Sequence, residues 1–428
     1  MADITFELPT NRSLQGNSGI IFGLPTDRSL VATGQYDDEK EIIRMRAALY
    51  IHVPFCLRKC SYCDFYSVKF DAGLAERFLT AAKLELKCYA DHPTFSNAIF
   101  ETIYIGGGTP SLLTSIQLDS LVHQVQRLFH LRQPFEFTIE INPETVTPKS
   151  LREFRSLGVN RLSIGVQSFR DAELQRLGRI HDVQQARSCI TWAQQAGFDN
   201  ISLDLMFAIP GQTLANWQAN LNQALAYSPQ HLSLYGLTLE PGTALQAEIA
   251  SGKLARVDEE IERAMYLASH DMLAQCGLQQ YEISNFARPG FESQHNQHYW
   301  NGTPYLGIGP GAHSFWNQHR QWNHRSLTNY LHALKSGQRP VAEQEQLSIN
   351  QQMLEFLYLR LRTVAGLDYR KFEQQFQTTF AEKFDHVIRQ LVQSQQSEWL
   401  LFSEGNLRLT PQGFLLFDEI IRRLAEAI

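Results

Sequence analysis

Between residues 48 and 235 one pattern recurs: a short apolar run, a polar or glycine-bearing turn, then an amphipathic stretch. The runs are 48–53, 102–105, 135–141, 161–166, 200–207 and 231–235. The stretches between them are 71–89, 117–129, 149–157, 181–196 and 214–226. A helix between two strands carries the chain back to where it began, so successive strands pair in parallel. Runs such as LSIGV and ISLDLMF lack polar alternation, as expected of strands covered by helices. Gly158 and Gly197 stand where the third and fourth helices need a left-handed cap. The fold class expected is α/β with six βα-type units. Six units fall short of a closed eight-stranded barrel, and periodicity alone leaves a partial barrel and a doubly wound sheet both open.

The rest of the chain is organised differently. Residues 1–44 are polar and turn-rich and read as a disordered N-terminal extension, with SGIIFGLP as its one candidate strand. Residues 45–285 form the α/β domain and 286–428 a smaller, mainly helical C-terminal region. The latter holds an aromatic, glycine-rich segment, helices at 347–362, 369–376 and 384–393, a hairpin across SEGN and a closing helix at 414–427. This winged-helix-like pattern lacks a basic recognition helix, and the chain's net charge is −6, so no nucleic acid is expected as partner. No apolar run reaches eighteen residues and no basic-then-apolar leader opens the chain. The cytoplasm is therefore the expected location, with peripheral contact to membrane proteins but no span.

Chemistry concentrates after the first strand. Cys56, Cys60 and Cys63 follow YIHVPF at CxxxCxxC spacing, on a loop leaving a strand's C-terminal end. Thiolates are soft ligands suited to zinc or to iron–sulfur iron. A closed site of either kind usually takes four protein ligands. A cubane held by three thiolates keeps one iron open for a small chelating molecule, whereas zinc here would need a distant fourth ligand. Three reduced thiols with no metal are the plain alternative. Cys88, Cys189 and Cys276 lie in apolar, helical surroundings and read as buried small hydrophobes, not a disulfide framework. GGGTP ends the second strand, where glycine permits close backbone approach. Glu140, Gln167 and Asp204 fall at or near the ends of three successive strands, where a polar side chain is costly to bury unless it is used.

These motifs resemble those of the radical S-adenosylmethionine (SAM) proteins, whose CxxxCxxC has an aromatic residue before its last cysteine, here Tyr62. Within them YIHVPFC is similar to the branch of oxygen-independent coproporphyrinogen III oxidases and their haem-chaperone paralogues. The resemblance runs from about residue 45 to the C-terminus. It implies an open (β/α)6 partial barrel and a [4Fe-4S] cluster on Cys56, Cys60 and Cys63. It also implies SAM contacts from Tyr50, Tyr62, Gly107, Gly108, Thr109 and Glu140, with Gln167, Arg179 and Asp204 around a second SAM position known in the oxidases. In that family one electron from the reduced cluster cleaves a carbon–sulfur bond of SAM, so no side chain is expected to act as acid or base.

Two features separate the branches. The oxidases carry a further cysteine two positions after the last cluster cysteine, where this chain has Phe65. Residues 295–300, HNQHYW, match the chaperones' HNxxYW. By this resemblance His295 is the candidate haem ligand, with Tyr299 and Trp300 as flat surfaces for the macrocycle and His298 and His313 as lesser candidates. An aromatic core patch is the alternative reading of the same residues. The implied partners are haem, haem-accepting proteins such as respiratory enzymes, and an electron donor such as flavodoxin or ferredoxin. Coproporphyrinogen decarboxylation and a SAM-independent zinc or scaffold role are the competing functions.

Overall fold

The computed structural model describes residues 44–392, 397–403 and 405–428; the strand expected in SGIIFGLP lies outside them. The six expected strands are present as Arg46–Val53 (β1), Ile99–Gly107 (β2), His130–Ile141 (β3), Arg161–Gln167 (β4), Ile201–Phe207 (β5) and His231–Gly236 (β6). They lie side by side in sequence order, each parallel to the next. Their side chains are buried along almost the whole length of β1, β2, β4 and β5, which explains the unbroken apolar runs.

Helices Ala72–Ala90, Ser115–Leu128, Pro148–Ser156, Val183–Gln195 and Leu214–Leu225 connect these strands. Thr114, Thr147 and Asp182 each start a helix through a reciprocal capping box, a device worth about 1 kcal/mol per cap. Gly158 and Gly197 take the positive φ that ends two of them. Trp217 is fully buried and donates its Nε1–H to the Met265 carbonyl and the Ser269 hydroxyl. This joins Leu214–Leu225 to helix Glu259–Gln275.

The sheet extends beyond its six parallel strands at both edges. On one side Gln279–Glu282 (β7) and Asn285–Ala287 (β8) form a hairpin, with β8 antiparallel to β6. On the other, Tyr305–Ile308 (β9) pairs parallel to β1, followed by His313–Trp316 (β10), His319–Asn323 (β11) and Val341–Gln346 (β12) in antiparallel succession. The order across all twelve strands is β12-β11-β10-β9-β1-β2-β3-β4-β5-β6-β8-β7, an open sheet rather than a closed barrel. The expected division at 285/286 therefore does not coincide with a break in the sheet, because strands from both sides of it belong to one layer.

Glu85 holds the β9 end in place. Its buried carboxylate accepts from the Gly309 N–H (2.9 Å), Asn323 Nδ2 (2.6 Å) and the Tyr330 hydroxyl (2.7 Å). Burial pushes its pKa up to about 7 against those three donors.

The helical C-terminal region begins at Ile349–Leu361 and continues through Tyr369–Phe376, Phe380–Leu391 and Phe417–Ala425. The expected hairpin is Leu400–Ser403 with Asn406–Leu409, joined by Leu367–Asp368 into three short strands. Arg362 ties this region to the sheet: its guanidinium lies 4.2 Å over the Trp300 ring and 3.3 Å from the buried Glu282 carboxylate.

Candidate functional site

The loop after β1 is fastened at several points. Phe55–Cys56 pairs with Val68–Lys69, closing the segment between them at its base. Ser61 donates its N–H to the Leu177 carbonyl (3.1 Å) and its hydroxyl to the Arg176 carbonyl (3.0 Å), and accepts from the Leu245 N–H (2.9 Å). Cys60 and Tyr62, on either side of Ser61, are thereby held against the β4–β5 connection.

Two side chains address the sulfurs directly. Thr109 Oγ1 donates to Cys56 Sγ at 3.7 Å, and Arg179 Nη1 to Cys60 Sγ at 3.6 Å. Asn142, the first residue beyond β3, joins the two donors. Its Nδ2 donates to Thr109 Oγ1 at 2.9 Å, and its Oδ1 accepts from Arg179 Nη2 at 2.6 Å. One continuous hydrogen-bonded path thus runs from Cys56 through Thr109, Asn142 and Arg179 to Cys60. Sequence reasoning did not single out Asn142; its position at a strand end beside Glu140 was the available signal.

Burial works against charge on two of the three thiols. Burial raises the Cys56 thiol, and it raises Cys63 to about 11, with Cys60 and Cys56 adding like-charge repulsion. Burial works against the Arg179 charge, but Tyr62, Cys60 and Glu144 outweigh it and push Arg179 up. A permanent cation therefore faces the sulfurs, which favours thiolate as metal ligand.

The GGGTP segment is tight for a reason internal to the chain. Gly107 has φ +110°, and a Cβ there would lie 2.7 Å from the His52 ring. A Cβ on Gly108 would lie 2.5 Å from the Phe55 carbonyl oxygen. Their N–H groups are also engaged, Gly108 with the Val53 carbonyl (2.8 Å) and Gly107 with Glu140 Oε2 (3.0 Å). Glu140 Oε1 accepts from the Tyr104 hydroxyl at 2.8 Å. Burial raises the Glu140 pKa, opposed by these two donors.

The remaining expected contacts fall into two groups. Gln167, at φ +63° on the end of β4, meets Asn142 and Arg179 around Gly165: a Cβ on that glycine would sit within 3.4 Å of all three side chains. Asp204 accepts from Ser163 Oγ (2.8 Å) and Ser202 Oγ (3.3 Å) within β4 and β5. Burial raises its pKa against those hydroxyls. Tyr50 points its hydroxyl at His52 Nδ1 (3.0 Å), and its ring lies 6.1 Å from Tyr104 and 6.4 Å from His295. Cys276 is exposed, contrary to expectation, while Cys189 is buried and Cys88 lies between.

The HNQHYW segment is the helix Gln294–Trp300, whose first N–H groups are capped by the buried Glu136 carboxylate. His295 is fully buried. Its Nδ1 lies 2.7 Å from Thr102 Oγ1, its Nε2 2.9 Å from the Tyr299 hydroxyl, and its ring stacks on Tyr104 at 5.0 Å. A neutral imidazole has one N–H and one lone pair, and two hydroxyls occupy both. Both ring nitrogens of His295, the candidate haem ligand, are thus engaged by hydroxyls of the chain itself. Tyr299 is packed edge-on against Tyr305 at 4.7 Å, and the Trp300 face is covered by Arg362. His298 lies 3.6 Å from Glu101, and His313 stacks on Trp322.

Among the described residues no group of His, Cys, Asp or Glu is arranged to hold a single metal ion. Three thiols, with a cation on one sulfur and a hydroxyl on another, are a donor set that fits a three-cysteine cluster.

Comparison with known proteins agrees. Residues 50–224 match the radical SAM superfamily and 347–416 the HemN C-terminal domain. The chain is 34% identical to the Bacillus subtilis heme chaperone HemW, covering 87% of this chain and 97% of that one. It is 35% identical to the Synechocystis heme chaperone HemW over 86% and 89%. It is 33% identical to the mitochondrial radical S-adenosyl methionine domain-containing protein 1 of Bos taurus over 89% and 87%. In fold it is similar to the Escherichia coli coproporphyrinogen III oxidase HemN, with TM-score 0.79, 23% identity and coverage of 90% and 91%. With a radical SAM match over residues 50–224 and 34% identity spanning 97% of a HemW chain, the chain belongs to the HemW family of the radical SAM superfamily.

Proposed function

We propose that this protein is a haem chaperone, binding haem and passing it to acceptor proteins such as respiratory enzymes in the cytoplasm. It carries a [4Fe-4S] cluster on Cys56, Cys60 and Cys63, together with SAM. The observation that supports this most strongly is the 34% identity across 97% of a heme chaperone's length. Phe65, where the oxidases have a cysteine, points the same way. Similarity to the oxidase at 23% identity speaks for the fold alone.

A bound cluster of this kind supplies one-electron chemistry and an open iron for the amino and carboxylate groups of SAM. The chain's own part is to hold and orient. Three cysteines supply thiolates, and Arg179 and Thr109 stabilise two of them through N–H and O–H donors. Tyr104 and the Gly107 N–H fix Glu140 as an acceptor for an ammonium group. Gln167 and Asp204 are the next polar groups along the same sheet, available to a ribose or a second ligand. The electron comes from a small redox protein such as flavodoxin or ferredoxin.

Hemin titration and coproporphyrinogen turnover, measured on one anaerobically reconstituted preparation with SAM and reductant, test this reading. Stoichiometric hemin uptake with a Soret band, and no protoporphyrinogen, is expected. Protoporphyrinogen formation without hemin uptake would replace the chaperone by the oxidase.

A further inference from the structure

Of the helix Gln294–Trp300, His295 is the residue fully enclosed. The ring of His295 rests on Tyr104, with 30° between planes, and Thr102 and Tyr299 hold its two nitrogens. Thr102 and Tyr104 are alternate residues of β2, so one histidine braces the same face of that strand at two points. Tyr104 in turn sets Glu140, and Glu140 holds the Gly107 N–H at the strand's end. The clearance there is small: a Cβ on Gly106 would lie 2.8 Å from the Tyr104 ring and 2.9 Å from Glu140 Oε1. A tilt of the Tyr104 ring is therefore passed on to the carboxylate. The helix itself cannot easily turn away, because Glu136 caps one end and Arg362 covers Trp300 at the other.

We propose that His295 is a positioning residue for the SAM cleft: through Thr102 and Tyr104 it fixes the carboxylate of Glu140, and it is not the haem ligand. This rests on the SAM-binding part of the function proposed above. It assigns the family's HNxxYW segment, in this chain, to the interior of the sheet and to the ligand held at its C-terminal end.

The test uses the full chain, anaerobically reconstituted, as wild type, His295→Gln, Tyr104→Phe and the double variant. Three quantities are read: SAM affinity by equilibrium dialysis, the change SAM induces in the electron paramagnetic resonance spectrum of the reduced cluster, and hemin affinity from the Soret band. Each single variant is expected to weaken SAM binding by about five- to tenfold and to alter the SAM-induced spectrum, with iron content unchanged. The double variant should be no weaker than about the worse single one, because both act through one carboxylate. Hemin affinity should stay within about twofold in His295→Gln. Should that variant fold poorly, Tyr299→Phe removes only the hydroxyl on Nε2, and a loss of SAM affinity of about two- to threefold in the same direction is expected.

Wild-type SAM affinity in His295→Gln, strictly additive losses in the double variant, or loss of the Soret band with SAM binding intact would each overturn the inference alone. If the unmodified protein carries its cluster but binds no SAM, the functional reading falls and takes the inference with it.

Discussion

Asn142→Ala cuts the path between two cluster sulfurs without touching a ligand. The substitution removes a neutral bond to Thr109 at 2.9 Å and a charge-assisted bond from Arg179 at 2.6 Å. Arg179 keeps its bond to the Gly165 carbonyl at 3.1 Å, so the guanidinium stays near but loses its aim. A neutral bond is worth about 1 kcal/mol net and a charged one about 2, and water recovers part of both at a half-buried site. The metal-free chain should therefore lose about 1–3 kcal/mol. The cluster should respond as well. Donors to sulfur favour the more negative, reduced state, and about 1 kcal/mol of lost preference lowers a one-electron potential by about 40 mV. Urea denaturation of the apoprotein and potentiometric titration of the reconstituted protein measure the two effects. An unchanged potential in a variant that retains its iron would refute the role given to the Thr109–Asn142–Arg179 path.

Gly108→Ala places a Cβ 2.5 Å from a backbone oxygen, with no flexible side chain to yield. The apoprotein should lose about 2–3 kcal/mol in denaturant titration, and cluster loading should fall with it. Cys63, raised to about 11, is almost entirely thiol at neutral pH, so its alkylation in apoprotein should be slow and rise about tenfold per pH unit up to that value. Mass mapping against the exposed Cys276 gives the comparison. Glu85 binds its proton more tightly folded than unfolded, so the stability that proton provides is full below about 4.5 and is lost as pH rises through about 7. That is a loss of order 3 kcal/mol. Glu85→Gln should flatten this part of the stability profile; an unchanged slope would show that another group governs it.

The six parallel strands were legible because strands buried on both faces leave unbroken apolar runs, and the helices between them repeat at helical spacing. The edge strands left no such trace. VAEQEQ of β12 is mostly exposed and mostly polar, and HRQWN of β11 mixes charge with one aromatic, so neither run announces a strand. YLGI of β9 was read only as part of an aromatic, glycine-rich segment, although Gly307 is needed there: a Cβ would lie 2.1 Å from the His313 carbonyl oxygen. This is why the expected boundary at 285/286 cuts through the sheet. The three clustered cysteines stood out by their spacing, which left zinc, a cubane and bare thiols open until the resemblance was drawn. His295 was legible as a special residue, with a core patch as one reading of it, but its partners Thr102 and Tyr104 were not, because they lie nearly two hundred positions away. Asn142 was missed because an asparagine after a strand reads as an ordinary turn residue, and only the fold brings Thr109 and Arg179 to its two ends.

Cys56, Cys60 and Cys63 are taken to leave one iron free of protein ligands, and electron–nuclear double resonance on the reduced, anaerobically reconstituted chain tests this most directly. With SAM labelled at its amino nitrogen and carboxylate, hyperfine couplings from the label to the cluster are expected. Spectra identical with and without SAM, in a protein shown to hold four irons, would mean that a fourth side chain closes the cluster.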